Sequence, residues 1–229
     1  MRSVVLLPTN KKYAVGKILC LGQNYAKHAK EMGAVAPSSP IIFLKPSTAI
    51  IEDGEPIVLP TISDDVHHEV ELTVLLGKQG KNIPQSRAFN YVAGYGIGLD
   101  MTMRDRQKEA KAAGNPWSIA KGFDTSAPLS PFISKDQVNN PDNLEITLSV
   151  NGKERQHSNT SNMIHKIDYI IAFLSSIFTL EEGDVIYTGT PEGVGKVVEG
   201  DVIEAEIPGV GKLRHAVFSA QSNSLKASR

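Results

Sequence analysis

The amino-acid sequence predicts a β-rich α+β fold, and three observations carry that expectation. Eight runs combine β-branched residues with bounding Gly, Pro, Asn or Asp, only three segments show helical spacing, and no internal repeat or low-complexity stretch is visible. With 41% hydrophobic and 21% charged residues across 229 positions, the chain can bury a sizeable core.

In chain order the strand runs are KILCLG (17–22), PIIFLKP (40–46), EPIVLP (55–60), EVELTVLLG (69–77), YVAGYGIGLD (91–100), LEITLSVNG (144–152), DVIYTG (184–189) and DVIEAEIPGVGKLRHAVF (201–218). The helical patterns are NYAKHAKEM (24–32), MRDRQKEAKAAG (103–114) with its terminal Gly114, and MIHKIDYIIAFLSSIF (163–178). The first is short and polar, so it reads as a surface flap. An irregular connection is expected between Pro116 and Pro141. Strands of similar character stand on both sides of it, which argues for one domain over 1–229.

A formal charge of −1, with no Lys/Arg stripe and no interleaved aromatics, excludes the electrostatic footprint of a nucleic-acid binder. Cys20 is the only cysteine, cannot form an intramolecular disulfide, and sits in an apolar run as a small hydrophobe. The run before Pro8 and Lys11 is too short for a signal peptide, and no later stretch approaches a membrane span. The expectation is a cytoplasmic protein with no membrane partner.

Alternation along 69–77 puts Glu69, Glu71 and Thr73 on one face and Val70, Leu72, Val74 and Leu76 on the other. Taken alone, the two glutamates are either solvated carboxylates on the wet face of a sheet or part of a metal site. Asp100 ends a glycine-rich strand and is either a third ligand or the N-cap of the helix that follows. Three carboxylates with open positions suit a hard cation such as Mg²⁺. Zinc is disfavoured, since His67 and His68 lack the i, i+4 spacing of HExxH and a strand points them to opposite faces.

His28 and Glu31 are three apart, so a helix places a carboxylate beside an imidazole. Lys121 sits among apolar residues in PWSIAKGFD, which suggests a partly buried ammonium in need of an anion. The segment YTGTPEGVGK lacks Walker spacing; it reads as a Gly-rich turn whose amides, with Thr188 and Thr190, could hold a carboxylate.

Together LGQNYAKHAKEMG, FLKPSTA, HHEVELTVLLGK, GYGIGLDMTMRDRQ, GNPWSIAKGFDTSAPLSPFI, VNGKERQ, MIHKIDYIIAFLS and LEEGDVIYTGTPEGVG resemble the fumarylacetoacetate hydrolase superfamily. The similarity is strongest to its short single-domain acylpyruvate hydrolase and oxaloacetate decarboxylase branch, over about 17–217. One departure is Ser158, where relatives often carry Gly. The resemblance implies a mixed β-roll or sandwich of curled sheets with a few peripheral helices, usually a homodimer. It implies Glu69, Glu71 and Asp100 as ligands of Mg²⁺ or Mn²⁺, and His28 with Glu31 as a dyad on a lid. It further implies Lys121 as an active-site lysine, and Arg104, Gln107, Thr190 and the Gly189 turn as contacts to a keto-acid substrate. The expected reaction is hydrolytic C–C cleavage of an acylpyruvate through an enolate, with oxaloacetate decarboxylation or keto–enol tautomerisation as alternatives on the same site.

Overall fold

A computed structural model describes residues 2–33 and 38–220, so both ends of the expected 1–229 unit lie outside the described residues. The architecture is strand-rich with few helices, as expected. Its largest sheet has, among the described residues, ten strands. The order across it is Lys11–Ala14, Ser3–Leu7, Phe132–Ser134, Val92–Leu99, Val70–Leu76, Val185–Tyr187, Lys17–Gly22 and Ile41–Pro46, with Ile50–Glu52 and Ala127–Leu129 attached at the side. A five-stranded sheet runs Lys153–Asn159, Glu145–Val150, Val202–Ile207, Gly211–Ser219 and Ile57–Leu59, and a small one joins Thr102–Met103, Val66–His68 and Gly195–Lys196.

Apolar residues cover the large sheet on both faces. Leu72, Val74 and Ile97 join Ile146, Leu148, Ile203, Leu213 and Val217 of the five-stranded sheet in one cluster, while Ile18, Cys20, Leu75, Phe132, Val185 and Tyr187 form a second. Every residue of Val70–Leu76 is therefore buried. Alternation in this strand separates two interiors, and the wet face that the pattern allowed does not exist.

The glycines of Val92–Leu99 explain how its neighbours fit. In register, Gly98, Gly96 and Gly94 oppose Glu71, Thr73 and Leu75. A Cβ at Gly98 would lie 2.7 Å from the Tyr187 ring, and one at Gly94 would lie 2.4 Å from the Ile133 carbonyl oxygen. These glycines admit protein atoms.

There are four α-helices among the described residues. Helix α1 is Ala26–Glu31, α2 is Arg104–Ala113, α3 is Ser118–Lys121 and α4 is Ile167–Ile177. Gly114 ends α2 in the left-handed region at φ 69°, as its position in the sequence suggests. Helix α4 buries Ile167, Ile170, Ile171 and Leu174 at the i, i+3, i+4, i+7 spacing of an amphipathic helix. Among the described residues no helix is long and apolar enough to cross a membrane.

One expectation about elements needs correction, and two elements were not foreseen. The stretch 116–141 is not irregular: it contains α3, the strands Ala127–Leu129 and Phe132–Ser134 and a 3₁₀ turn, Lys135–Gln137. The N-terminal residues form a hairpin, Ser3–Leu7 with Lys11–Ala14. A further strand, Lys153–Asn159, follows Glu145–Val150 across the turn residues Asn151 and Gly152, both at positive φ.

Candidate active site

Glu69 lies in the short break between Val66–His68 and Val70–Leu76, and Glu71 lies on the latter strand beside the last turn of Val92–Leu99, after which comes Asp100. Because these two strands are antiparallel neighbours, with Val70 opposite Leu99, the three carboxylates converge. One oxygen from each lies within 4.8 Å of the others, and all three residues are buried. Asp100 does not cap α2. The N-cap position is Met103, and the Asp100 carboxylate faces lysines instead.

The charges here are unequally compensated. Lys121 Nζ donates to Asp100 Oδ2 at 2.6 Å, Glu69 Oε2 at 2.8 Å and Thr102 Oγ1 at 2.6 Å, which uses all three of its protons. Arg104 pairs with Glu69 Oε1. Burial favours a protonated Glu69, yet Lys121 and Arg104 hold its carboxyl well below the usual range. Glu71 behaves oppositely: burial first, then the Asp100 and Glu69 carboxylates, push it well above that range, against a 2.6 Å bond from the Gly189 N–H. Burial alone would lower Lys121, but Asp100 and Glu69 raise it.

This donor set fits a divalent cation. It is all oxygen, and it is crowded with like charge at Glu71. Lys45 Nζ donates to the Lys121 and Met101 carbonyls and forms an ion pair with Asp100 Oδ1 at 2.8 Å. His67 and His68 stand apart from the triad, bonded to Asp65 at 2.9 Å and to Gln156 at 3.0 Å.

The opposite wall belongs to α1. His28 is buried, and its Nδ1 meets Glu31 Oε2 at 3.2 Å. Glu31 also accepts the Gly193 N–H at 3.1 and 3.2 Å, tying the helix to the Gly-rich turn. Asn24 anchors the approach to α1: it donates to the Thr188 carbonyl at 2.7 Å and the His165 carbonyl at 3.0 Å, and accepts from the His165 N–H at 2.8 Å. The segment expected as a flap is thus seated on the cavity with its imidazole inward.

His28, Glu69, Glu71, Arg104, Gln107, Lys121 and Thr190 line one cavity. Gln107 Oε1 is taken by Arg104 at 2.8 Å, so its NH₂ is what it can offer a ligand. The anion cradle expected of the Gly189 turn is smaller than the sequence suggested. The Gly189 N–H serves Glu71, and the Thr188 hydroxyl donates to the Leu72 carbonyl at 2.8 Å, which leaves Thr190 facing the cavity. Gly189 itself has φ 99°, and a Cβ there would sit 2.6 Å from that of Asn24, so only glycine fits.

Sequence reasoning missed two buried residues. Lys45 could have been found from its single charge in the apolar run IIFLK. Gln156 is fully buried, and its amide is used completely: Oε1 accepts from Val70 N–H and His68 Nδ1, and Nε2 donates to Thr190 Oγ1 at 2.8 Å and the Pro191 carbonyl at 3.0 Å. Val70 N–H is an unambiguous donor, so it fixes which end of the amide is oxygen. Thr190 Oγ1 is then an acceptor toward Gln156, and its own proton is left for the cavity. Its sequence signal was weak, a lone Gln in the polar stretch KERQHSN.

Residues 17–218 match the family described as fumarylacetoacetate (FAA) hydrolase C-terminal. The mouse protein named oxaloacetate tautomerase FAHD1, mitochondrial, is 51% identical over 211 residues, 92% of this chain and 96% of that one. A Pseudomonas aeruginosa fumarylpyruvate hydrolase, solved with Mn²⁺ and pyruvate, superposes with a TM-score of 0.92 at 37% identity, covering 95% of this chain and 96% of its own. A Mycobacterium smegmatis 5-carboxymethyl-2-hydroxymuconate delta-isomerase gives a TM-score of 0.82 at 44% identity, covering 90% and 80%. A chain matched over almost its whole length, with His28, Glu69 and Glu71 lining one cavity, belongs to the fumarylacetoacetate hydrolase family and is an enzyme of that family.

Proposed function

We propose that the chain is a divalent-metal-dependent hydrolase that cleaves acylpyruvates, 2,4-diketo acids, into a carboxylic acid and pyruvate. The observation that carries this reading is the buried His28, oriented by Glu31, in the cavity that Glu69 and Glu71 also line. A mere binding site has no need of a general base. Glu69, Glu71 and Asp100 would hold Mg²⁺ or Mn²⁺, which when bound supplies Lewis-acid polarisation of the keto-acid end. The Mn²⁺ in the fumarylpyruvate hydrolase supports a metal of this type.

With Nδ1 on Glu31, His28 has Nε2 left to take a proton from water. The hydroxide oxygen bonds to the distal acyl carbon, and the bond from that carbon to the pyruvate methylene breaks. Its electron pair passes to the pyruvate enolate, which regains a proton and leaves as pyruvate. Lys121, with its protons committed to Glu69, Asp100 and Thr102, acts on that negative charge as a fixed field. The Thr190 hydroxyl, with its acceptor side given to Gln156, donates to a substrate carboxylate.

A second reading, oxaloacetate keto–enol tautomerase, is favoured by the identity of about half the residues with the mouse tautomerase. It uses the same wall for proton transfer alone, and decarboxylation would draw on the same enolate. The resemblance extends the proposal to a homodimer, which light scattering on the purified chain tests.

The test is a panel of acetylpyruvate, fumarylpyruvate and both tautomers of oxaloacetate with Mg²⁺ or Mn²⁺, reading pyruvate release and enol absorbance. Hydrolysis predicts metal-dependent pyruvate release from the diketo acids, lost in His28→Ala. Interconversion of oxaloacetate tautomers without diketo-acid cleavage assigns the second reading, and insensitivity to EDTA defeats both.

A further inference from the structure

The protein charges around the triad cancel one another. To hold a divalent cation Glu69, Glu71 and Asp100 must all be ionised, since carboxylates bind a metal only when deprotonated. Three cations touch them: Lys121 meets Glu69 and Asp100, Arg104 meets Glu69, and Lys45 lies 2.8 Å from Asp100 Oδ1. A divalent ion bound here would therefore leave its own two charges uncompensated in a buried site. His28 and Lys111, the other titratable side chains lining the cavity among the described residues, supply no anion.

Lys45 is the cation that the fold explains least. Its side chain is fully buried on the strand Ile41–Pro46, and it donates to the Met101 carbonyl at 3.3 Å and to the Lys121 carbonyl. Those carbonyls need a donor and not a charge, and Asp100 already has the ammonium of Lys121 at 2.6 Å. A buried ammonium is costly to desolvate, and the carboxylate that compensates this one is the one a metal would need.

We infer that Lys45 makes metal loading conditional on a chelating dianion: its ammonium cancels the one negative charge that Lys121 and Arg104 leave, so that a divalent ion binds tightly only together with a ligand of opposite charge. This rests on the divalent-metal part of the reading above and adds the charge class of the co-ligand. A 2-keto acid monoanion removes half of the excess, and its enolate, or oxalate, removes all of it. Burial keeps solvent from screening the repulsion between Lys45 and the ion. Even at an effective dielectric of about 20, a unit charge that close to a metal ligand changes affinity by more than about tenfold.

The test titrates the full chain and its Lys45→Met variant with Mn²⁺, with and without oxalate, reading free Mn²⁺ by electron paramagnetic resonance against a protein-free series that accounts for Mn²⁺ held by oxalate in solution. Lys45→Met should tighten the binding of Mn²⁺ alone at least about tenfold and shrink the further gain from oxalate by a similar factor. A lysine that only braced Asp100 would do the reverse, because its removal would weaken Mn²⁺ binding. Unchanged or weaker Mn²⁺ binding in Lys45→Met therefore overturns the inference and leaves the metal reading standing. A second arm needs no variant: pyruvate and oxalate each offer Mn²⁺ two oxygens but carry one and two charges. In the parent chain oxalate should promote Mn²⁺ binding at least about tenfold more than pyruvate does, beyond the difference in their affinities for Mn²⁺ in solution. Equal promotion by the two overturns the inference, and no Mn²⁺ binding under any of these conditions removes the metal reading along with it.

Discussion

Gln156 donates to Thr190 Oγ1 at 2.8 Å while its carbonyl receives the N–H of Val70, the residue between Glu69 and Glu71. One buried amide therefore sets the strand that carries the carboxylates and the cavity hydroxyl in a common frame. Gln156→Leu should raise KM about tenfold through Thr190, with kcat changed less, and should cost about 1–3 kcal/mol for the unpaired Val70 N–H. Urea unfolding and steady-state kinetics check the two parts. If Gln156 acts on substrate through Thr190, adding Thr190→Val should bring no further rise in KM.

Glu31 has two duties, one to His28 and one to the Gly193 N–H. They are separable. Glu31→Gln keeps an acceptor for Gly193 but removes the charge that stabilises an imidazolium, so kcat should fall about 10²-fold with KM little changed. Glu31→Ala also frees the helix and should raise KM as well. Equal KM values in the two variants would show that the Gly193 bond does not hold α1.

Three crowded carboxylates should make the fold responsive to divalent cations. Mn²⁺ at about 100 times its Kd should stabilise the chain by about 2.7 kcal/mol, seen as a rise in Tm. Asp100→Asn should weaken that response by more than about 100-fold in Mn²⁺ concentration, and it should also lower the metal-free Tm, since it leaves the buried Lys45 and Lys121 without their shared carboxylate. A full Mn²⁺ response in Asp100→Asn would remove Asp100 from the ligand set.

His215 offers a pH test away from the site. Burial lowers its pKa, opposed by its 2.7 Å bond to the Glu55 carbonyl and by the charges of Asp53 and Glu55. The native imidazole stays neutral where the unfolded one takes up a proton, so its contribution to stability is present above pH about 6.5 and declines as pH falls below that value. The slope from this one group cannot exceed about 1.4 kcal/mol per pH unit. Denaturation series between about pH 7.5 and 5 should show a shallower decline in His215→Gln than in the parent chain.

Local rules served the sequence reading best where one segment decides the outcome. Gly114 ended α2, the 3.6-residue spacing located α4, and DVIYTG lay beside the other strands. Where the outcome depends on a second layer, the reading stalled. Glu69 and Glu71 taken alone favoured solvent over a metal, because nothing within 69–77 reveals that Tyr187, Phe132 and Cys20, on other strands of the same sheet, join Leu75 in a second apolar cluster. The strand Lys153–Asn159 is almost wholly polar because it is a sheet edge, though the Asn151–Gly152 pair before it was a usable hairpin signal. Gln156 escaped notice for the same reason: its value lies in four partners, all of them more than thirty residues away, which no local pattern encodes.

Placing the acids and the base on different kinds of element divides the enzyme by local opening free energy. Glu71 belongs to the central strands of the ten-stranded sheet, whose amides should exchange with solvent only through global unfolding. His28 rides on six helical residues, too few to persist alone, held by Asn24, Glu31 and an isolated bridge from Tyr25 to Met163. The carboxylate half of the site is as permanent as the fold itself, and the half that carries His28, proposed above as the proton-transfer group, can open on its own. Product can then escape without disturbing the carboxylates, and warming should silence turnover before it melts the protein.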